Sequence, residues 1–371
     1  MDIALLLGPE PPRGVRAHTV GLANALARLG ERVTVWELSR GRAGGTGLPV
    51  DPAVRLLSVP FPDVPGEDAG ARLRRAVAEL GMAVAAAGER YDVVHAQDCT
   101  GADAVPGCVR TVHTLDGCAA AEPAGCSERA FTRPTALFCG SAAVAAQVRA
   151  RWGRDAVVLP GGVDTTRFAA AAAPENAAGR NRWRARLGRY VLAVGGVEPR
   201  KGTLDLVEAM ATVRLARPDL ALVLAGEASP DADRYRAVVD ARAQELEVYP
   251  LVLGHVPDEE FAPLVAGAQA LAVPSTEERF GSAVLEGLAA GVPVVARDLP
   301  AVRASAGGVV SLATGPAGFA AGLLAAADAD RRRLADGRAV ALRHGWDAAA
   351  RAHLRCYRAV ADAPVPHAVG A

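Results

Sequence analysis

Of the 41 basic residues in this 371-residue sequence, one is lysine, Lys201. A bias in the gene's base composition accounts for the 40 arginines, but not for the one lysine that remains. An ammonium is a compact charge with three rotatable donors, which a planar guanidinium fork does not reproduce. Lys201 is therefore a candidate phosphate ligand. Net charge is also missing, since 41 basic residues face 41 acidic ones. That balance argues against nucleic acid as the main partner. No apolar run reaches the roughly 18 residues of a membrane span. Residues 1–8 lack the basic start and long apolar core of a signal peptide, and they read as a buried first strand. Residence in the cytoplasm is expected. No C-x-x-C spacing occurs, although Cys99, Cys108, Cys118, Cys126 and Cys139 cluster near His95 and His113. Buried reduced thiols are the plainer reading of that cluster, with a metal site as the alternative. Residues 7–14 do not supply G-x-G-x-x-G, so a nicotinamide dehydrogenase is excluded.

What is present is an ordinary globular composition, 51% apolar and 22% charged, in a chain long enough for two cores. Short apolar runs alternate with amphipathic stretches from end to end. Strands are expected at 3–8, 33–38, 54–59, 91–96, 109–114, 136–140 and 156–160, with helices at 15–29 and 71–87 between them. A second series follows at 190–194, 220–225, 250–253, 270–273, 292–296 and 309–312. Its helices fall at 203–216, 231–245, 258–266 and 282–290. This pattern means βαβ units and mostly parallel sheets. The fold class is α/β: two Rossmann-like doubly wound domains facing across a cleft. The expected domains are residues 1–168 on the acceptor side and 188–343 on the nucleotide-sugar side. Residues 169–187 form a linker ending in a short helix. Residues 344–371 are a helix and tail returning to the first domain. The linker's arginines and Trp183 raise contact with an anionic membrane surface, against the plainer reading of a solvated helix face.

Three strand-to-helix junctions carry the chemistry. In the first, a strand ends at Gly195-Gly196 and the loop reaches a helix through Arg200-Lys201-Gly202. Glycines let a backbone approach a ligand, and helix starts attract anions. This is a phosphate site in type, although its glycine spacing is not that of a P-loop. The alternative is an exposed basic loop. The second junction holds Glu278, Phe280, Gly281, Ser282 and, early in the following helix, Glu286. The amides of residues 280–282 suit a diphosphate. A carboxylate in an early helical turn can accept two ribose hydroxyls, as acids do in dinucleotide sites. Taken alone, Glu286 is equally well a surface acid favoured by the helix dipole. The third junction places His113 at a strand's carboxyl end, where a histidine is structural about as often as functional.

These strings together resemble the retaining glycosyltransferases of family 4, also called group 1, which have the GT-B fold. The turn Pro160-Gly161-Gly162-Val163-Asp164 followed by Phe168 resembles the family's P-N-G-V-D-x-x-x-F. Glu278-x7-Glu286, running on through residues 287–295, resembles its paired-glutamate motif. Residues 91–95 and 138–141 resemble its first-domain strand ends, and Arg13-Gly14 with His18 its first glycine loop. The resemblance covers nearly the whole chain and is strongest over residues 190–300. It departs where Gly196 stands for arginine, Arg279 for glycine, Gly161 or Gly162 for asparagine, and Thr114 for aspartate.

The resemblance implies a hexosyl transfer from a UDP-, GDP- or ADP-linked sugar to an acceptor hydroxyl, with retention of configuration. It assigns Arg200 and Lys201 to the diphosphate, Glu286 to the ribose and Glu278 to the donor sugar. It places His113 on the sugar or phosphate, and His255 with Val256 against the base. Gly14, Gly195 and Gly196 line the donor site. No cofactor and no metal are expected, because fixed cations meet the charge of the leaving group. Asp231-Ala232-Asp233 resembles the D-x-D metal motif of the other sugar-transferase fold, but it opens a helix, where acids are favoured anyway. A basic stretch with Arg72, Arg74 and Arg75 raises a lipid-linked acceptor and peripheral contact at the inner membrane face. A sugar-nucleotide epimerase, a phosphorylase and a non-catalytic binder are the alternatives.

Overall fold

The computed structural model describes every residue except 10, 41–48, 114, 116–123, 160, 227–232, 279–280, 327–328 and 363–371. The chain forms two compact units, Met1–Gly162 with Trp346–Ala371, and Val163–Gly345. The first runs β1 (Asp2–Leu7), α1 (Arg13–Arg28), β2 (Arg32–Ser39), β3 (Arg55–Pro60), α2 (Ala69–Ala86), β4 (Val93–Ala96), α3 (Cys99–Ala104), β5 (Val109–Val112), α4 (Ala124–Thr132), β6 (Ala136–Cys139), α5 (Ala142–Trp152) and β7 (Ala156–Val158). The second runs α6 (Thr165–Ala172), α7 (Ala177–Leu187), β8 (Arg189–Val194), α8 (Thr203–Ala216), β9 (Leu220–Ala225), α9 (Asp233–Glu245), β10 (Leu251–Gly254), α10 (Asp258–Gly267), β11 (Ala270–Val273), α11 (Ser282–Ala289), β12 (Val294–Arg297), α12 (Pro300–Ala306), β13 (Ser311–Ala313), α13 (Gly315–Ala326) and α14 (Arg331–Arg343). A last helix, α15 (Trp346–Ala361), belongs to the first unit.

Each unit is built on one parallel sheet. The orders are β3-β2-β1-β4-β5-β6-β7 and β10-β9-β8-β11-β12-β13. In both, the order reverses beside the unit's first strand, between β1 and β4 and between β8 and β11. Ligands of doubly wound sheets bind outside the carboxyl ends of strands at such a switch point. In the first unit these ends are Leu7 and Ala96; in the second they are Val194 and Val273. The central strands are apolar on both faces because helices cover both. Along β1, Ile3, Leu5 and Leu7 enter one core with α1 and α15, while Ala4 and Leu6 enter another with α2. Along β8, Tyr190 and Leu192 face one core, and Val191 and Ala193 the other.

The helix starts are local chemistry. The side chains of Asp68, Asp98, Ser141 and Asp164 cap α2, α3, α5 and α6, each accepting from an amide three residues on. One expected boundary moves. Residues 169–187 are not a linker: they form the second half of α6 and all of α7, inside the second unit. The alanine-rich composition hid a buried stripe, in which Phe168, Ala171 and Trp183 join the core of α10, α11 and β11. The Trp183 indole also donates to Glu260 at 3.0 Å. It is therefore a core residue and is not displayed to a membrane surface.

Candidate active site

The second unit's switch point is assembled by backbone first. After β8, Gly195 (φ +120°) and Gly196 (φ +75°) turn the chain, and both amides donate to the carbonyl of Ala225, at 2.8 and 3.4 Å. A side chain at 195 would occupy the space taken by Lys201, whose Nζ lies 2.6 Å from where that Cβ would be. Lys201 thus folds back over the glycine turn. It has no hydrogen-bond or ion-pair partner among the described residues. Arg200 differs: its Nε pairs with Glu198 at 2.8 Å. The loop's cationic charge toward a ligand therefore rests chiefly on the lysine.

Gly202 (φ +64°) precedes α8, and a Cβ there would collide with the carbonyl of Pro274 after β11. The two strand-end loops are therefore in contact. Thr276 donates its amide to the carbonyl of Arg200 at 2.8 Å. Arg297, at the end of β12, donates Nε to the Pro274 carbonyl at 2.8 Å and Nη2 to Asp205 at 2.5 Å. Glycines 202 and 281 precede α8 and α11, so neither helix is capped by its own N-cap side chain, although the Leu204 amide of α8 donates to the Tyr235 hydroxyl at 3.3 Å. Two helix starts thus follow the two strands that flank the switch point, an arrangement suited to a diphosphate.

Glu286 sits in the second turn of α11, half-buried, with no hydrogen-bond partner among the described residues. Desolvation pushes its carboxyl up to about 7; the Arg167 guanidinium opposes this, while Glu278 and Asp164 add to it. An acid this unfavourably placed has the signature of a ligand group, because a structural role would give it partners. Glu278 lies in the loop before α11, half-buried. Ser282 is exposed at the first position of α11. Phe280, with Arg279, lies outside the described residues. His255 is exposed, but Val256 packs into the core beside α10, so only its backbone remains to meet a base. Arg167, Asp205 and Arg297 were not among the residues singled out from the sequence.

In the first unit, His113 follows β5 and its Nε2 lies 3.3 Å from Oε1 of Gln97, just beyond β4. His18 of α1 meets the His113 ring edge-on, with centroids 4.8 Å apart. Burial holds His18 well below the ordinary histidine range, helped by His113, His353 and His95. His95 bridges the Tyr357 hydroxyl (2.6 Å) and the Thr111 hydroxyl (2.8 Å). Tyr357 and His353 come from α15, so the chain's end supports this cluster from below. Nε2 of His18 and Nε2 of Gln97 are buried with no partner among the described residues. Sequence reading singled out neither Gln97 nor α15's aromatic residues. Gly14 is exposed at the start of α1, with open space where a side chain would stand.

Among the described residues no group of three or more histidines, cysteines and acids could hold a metal. Asp231 and Ala232 of the D-x-D string lie outside the described residues, as do Cys118 and the Cys126 side chain. Cys108 and Cys139 are buried, and burial pushes the Cys108 thiol up to about 12. Arg72 and Arg75 pair with Asp63, Glu67 and Glu79 and stack on Phe61. Little of that basic stretch is left for a lipid headgroup. No described helix is long and apolar enough to cross a membrane.

Two parallel switch-point units of this kind recur in solved structures. Anabaena HepE in complex with UDP and glucose superposes with a TM-score of 0.71 at 18% identity, covering 96% of this chain and 99% of that one. Sucrose-phosphate synthase from Thermosynechococcus elongatus gives 0.74 at 19% identity, covering 97% and 99%. The fold is that of the GT-B glycosyltransferases. Residues 12–167 match the family "Glycosyltransferase Family 4" and residues 188–329 match "Glycosyl transferases group 1". A D-inositol 3-phosphate glycosyltransferase of Xylanimonas cellulosilytica is 31% identical over 93% of this chain and 91% of its own length. A phosphatidyl-myo-inositol mannosyltransferase of Mycobacterium tuberculosis is 34% identical over 56% of this chain and 55% of its own. The chain belongs to the group 1, family 4 glycosyltransferases, and it is a glycosyl-transferring enzyme.

Proposed function

We propose that the enzyme transfers a hexosyl group, with retention, from a nucleotide-diphosphate sugar to a hydroxyl of an inositol-bearing acceptor. The observation that carries the donor half is Lys201, the only lysine in the chain, folded over Gly195 without a counter-charge among the described residues, beside the starts of α8 and α11. As the glycosidic bond to phosphate breaks, negative charge grows on the leaving diphosphate. Lys201 and the amides of α8 and α11 meet that charge, and stabilising it more than the ground state is what accelerates the step. Glu286 accepts the ribose hydroxyls and Glu278 contacts the transferred sugar. The acceptor hydroxyl gives its proton to a departing phosphate oxygen, so no metal and no dedicated base are required. Within the first unit, Gln97 holds the ring of His113 at the carboxyl end of β5. The acceptor class is supported by the inositol acceptors in two relatives' names, and UDP by its presence in HepE.

The test is a thermal-shift screen of nucleoside diphosphates and their sugars, in excess chelator, followed by incubation of the hit with inositol phosphates. A ligand at 100 times its dissociation constant stabilises by about 2.7 kcal/mol. Nuclear magnetic resonance of the product reads the anomeric configuration. Failure of every nucleotide to stabilise the wild type, or an inverted product, refutes the reading.

A further inference from the structure

At the amino ends of the second unit's strands, before β11 and β12 begin, lies an open hollow of about 360 Å³. Its charged lining is three arginines, Arg180, Arg184 and Arg338, with no carboxylate among the described lining residues. None of the three has an ion-pair partner among the described residues. Their neighbour Arg182 shows the common pattern in this chain, bonding to Glu260 at 2.8 Å.

A structural duty explains part of the cluster. Helices α6, α10, α11 and α13 all end around the hollow, and each C-terminus carries roughly half a negative charge. Arg180 bonds through Nη1 to the carbonyls of Ala171 and Ala173, at the end of α6. Arg184 bonds through Nε to the carbonyl of Gly267, which ends α10, at 3.0 Å. Arg338 has no such bond. It lies across Gly291, where any side chain would strike its guanidinium. Four half-charges offset about two of the three positive charges and leave about one over. The remaining N–H donors have no protein partner among the described residues, although guanidinium forks match phosphate oxygens two at a time.

We infer that this hollow is a second anion site, separate from the donor site, that takes a compact phosphate group. It lies a full strand length from Lys201, at the other end of β11, so its occupation does not compete with the nucleotide. Free phosphate and a phospholipid headgroup offer the same chemistry there.

Two arms distinguish them, both on the full chain in a Lys201→Ala background that silences the donor loop. In the first, inorganic phosphate is titrated at constant ionic strength and read by thermal shift. In the second, the protein is pelleted with phosphatidylcholine vesicles containing phosphatidic acid. Arg338→Gln is the probing variant, because among the described residues Arg338 makes no side-chain hydrogen bond or ion pair whose loss would unfold the chain. A phosphate response that weakens at least about tenfold in Arg338→Gln assigns the site to free phosphate. Pelleting that depends on Arg338, without a phosphate response, assigns it to a headgroup. A response unchanged by Arg338→Gln, or none in either arm, overturns the inference.

Discussion

Glu286 is held in a form that weakens the fold. Its carboxyl stands at about 7 where 4.5 is ordinary. At 1.36 kcal/mol per unit, that gap corresponds to about 3 kcal/mol. The sign follows from which state holds the proton. Below pH 4.5 both folded and unfolded chains are protonated at this position, and the term vanishes. Between pH 4.5 and 7 the unfolded chain has released the proton while the folded chain keeps it, so stability falls as pH rises. Above pH 7 the full cost is present. Glu286→Gln keeps the shape and removes the charge, so it should stabilise the protein by up to about 3 kcal/mol at pH 8 and leave it nearly unchanged at pH 4.5. Calorimetric melts of wild type and variant across that range give the difference directly. The same variant should bind the donor nucleotide less tightly, because an amide accepts ribose hydroxyls less well than a carboxylate. A residue that costs stability and is kept has a use elsewhere. A pH-independent difference between the two proteins would show that Arg167 already neutralises the carboxylate. The electrostatic case for Glu286 would then fail.

Three further outcomes are expected. Lys201→Ala should lose about 10²–10³ in kcat, or roughly 2.7–4 kcal/mol, while Lys201→Arg should fail to restore it because a planar fork does not fit the slot over Gly195; steady-state kinetics with the donor found by thermal shift decide both. Arg297→Ala should cost about 2 kcal/mol in denaturant unfolding, since it strips a charged hydrogen bond from each of two partners, and should lower kcat as the Lys201 and Pro274 loops part; Arg297→Lys, which keeps the charge without the fork, should recover stability more than turnover. Gly21→Ala should destabilise the first unit by roughly 1–3 kcal/mol, because a methyl there strikes Trp346 of α15; an unchanged melting temperature would mean that α15 does not dock on α1 as described.

Much of the fold could be read from periodicity because both sheets are parallel and buried on both faces. A central strand such as Leu220–Ala225, LALVLA, is apolar at every position, and only a strand of that length fits between its turns. Helix α8 begins at Thr203 because Gly202 and its left-handed φ stop anything earlier. Misreading came where composition masked pattern. The alanines and arginines of 169–187 carry little hydrophobicity in sum. The few apolar side chains that matter, Phe168, Ala171 and Trp183, are spaced for one helical face at a time and meet in the core across two helices. Strand ends shifted by a residue or two, as at β5, where pairing ends with Val112 opposite Cys139, short of the expected end at residue 114.

The site divides along the same line. Residues whose chemistry is local could be singled out. Gly195, Lys201, Glu278 and Glu286 stand out in the sequence because lysine is otherwise absent, paired glycines end a strand, and two acids flank a helix start. Residues that act through space could not. Arg297 lies 96 positions after Lys201, and only the pairing of β12 with β11 brings it to the Pro274 carbonyl. Among 40 arginines nothing marks that one. His113 gained its meaning the same way, since Gln97 and His18 reach it from β4 and α1, and α15 supplies the residues beneath them. Arginine abundance also explains why a basic hollow went unseen: in such a chain a guanidinium becomes informative only through its surroundings in the fold, and no carboxylate stands among the described residues lining this one.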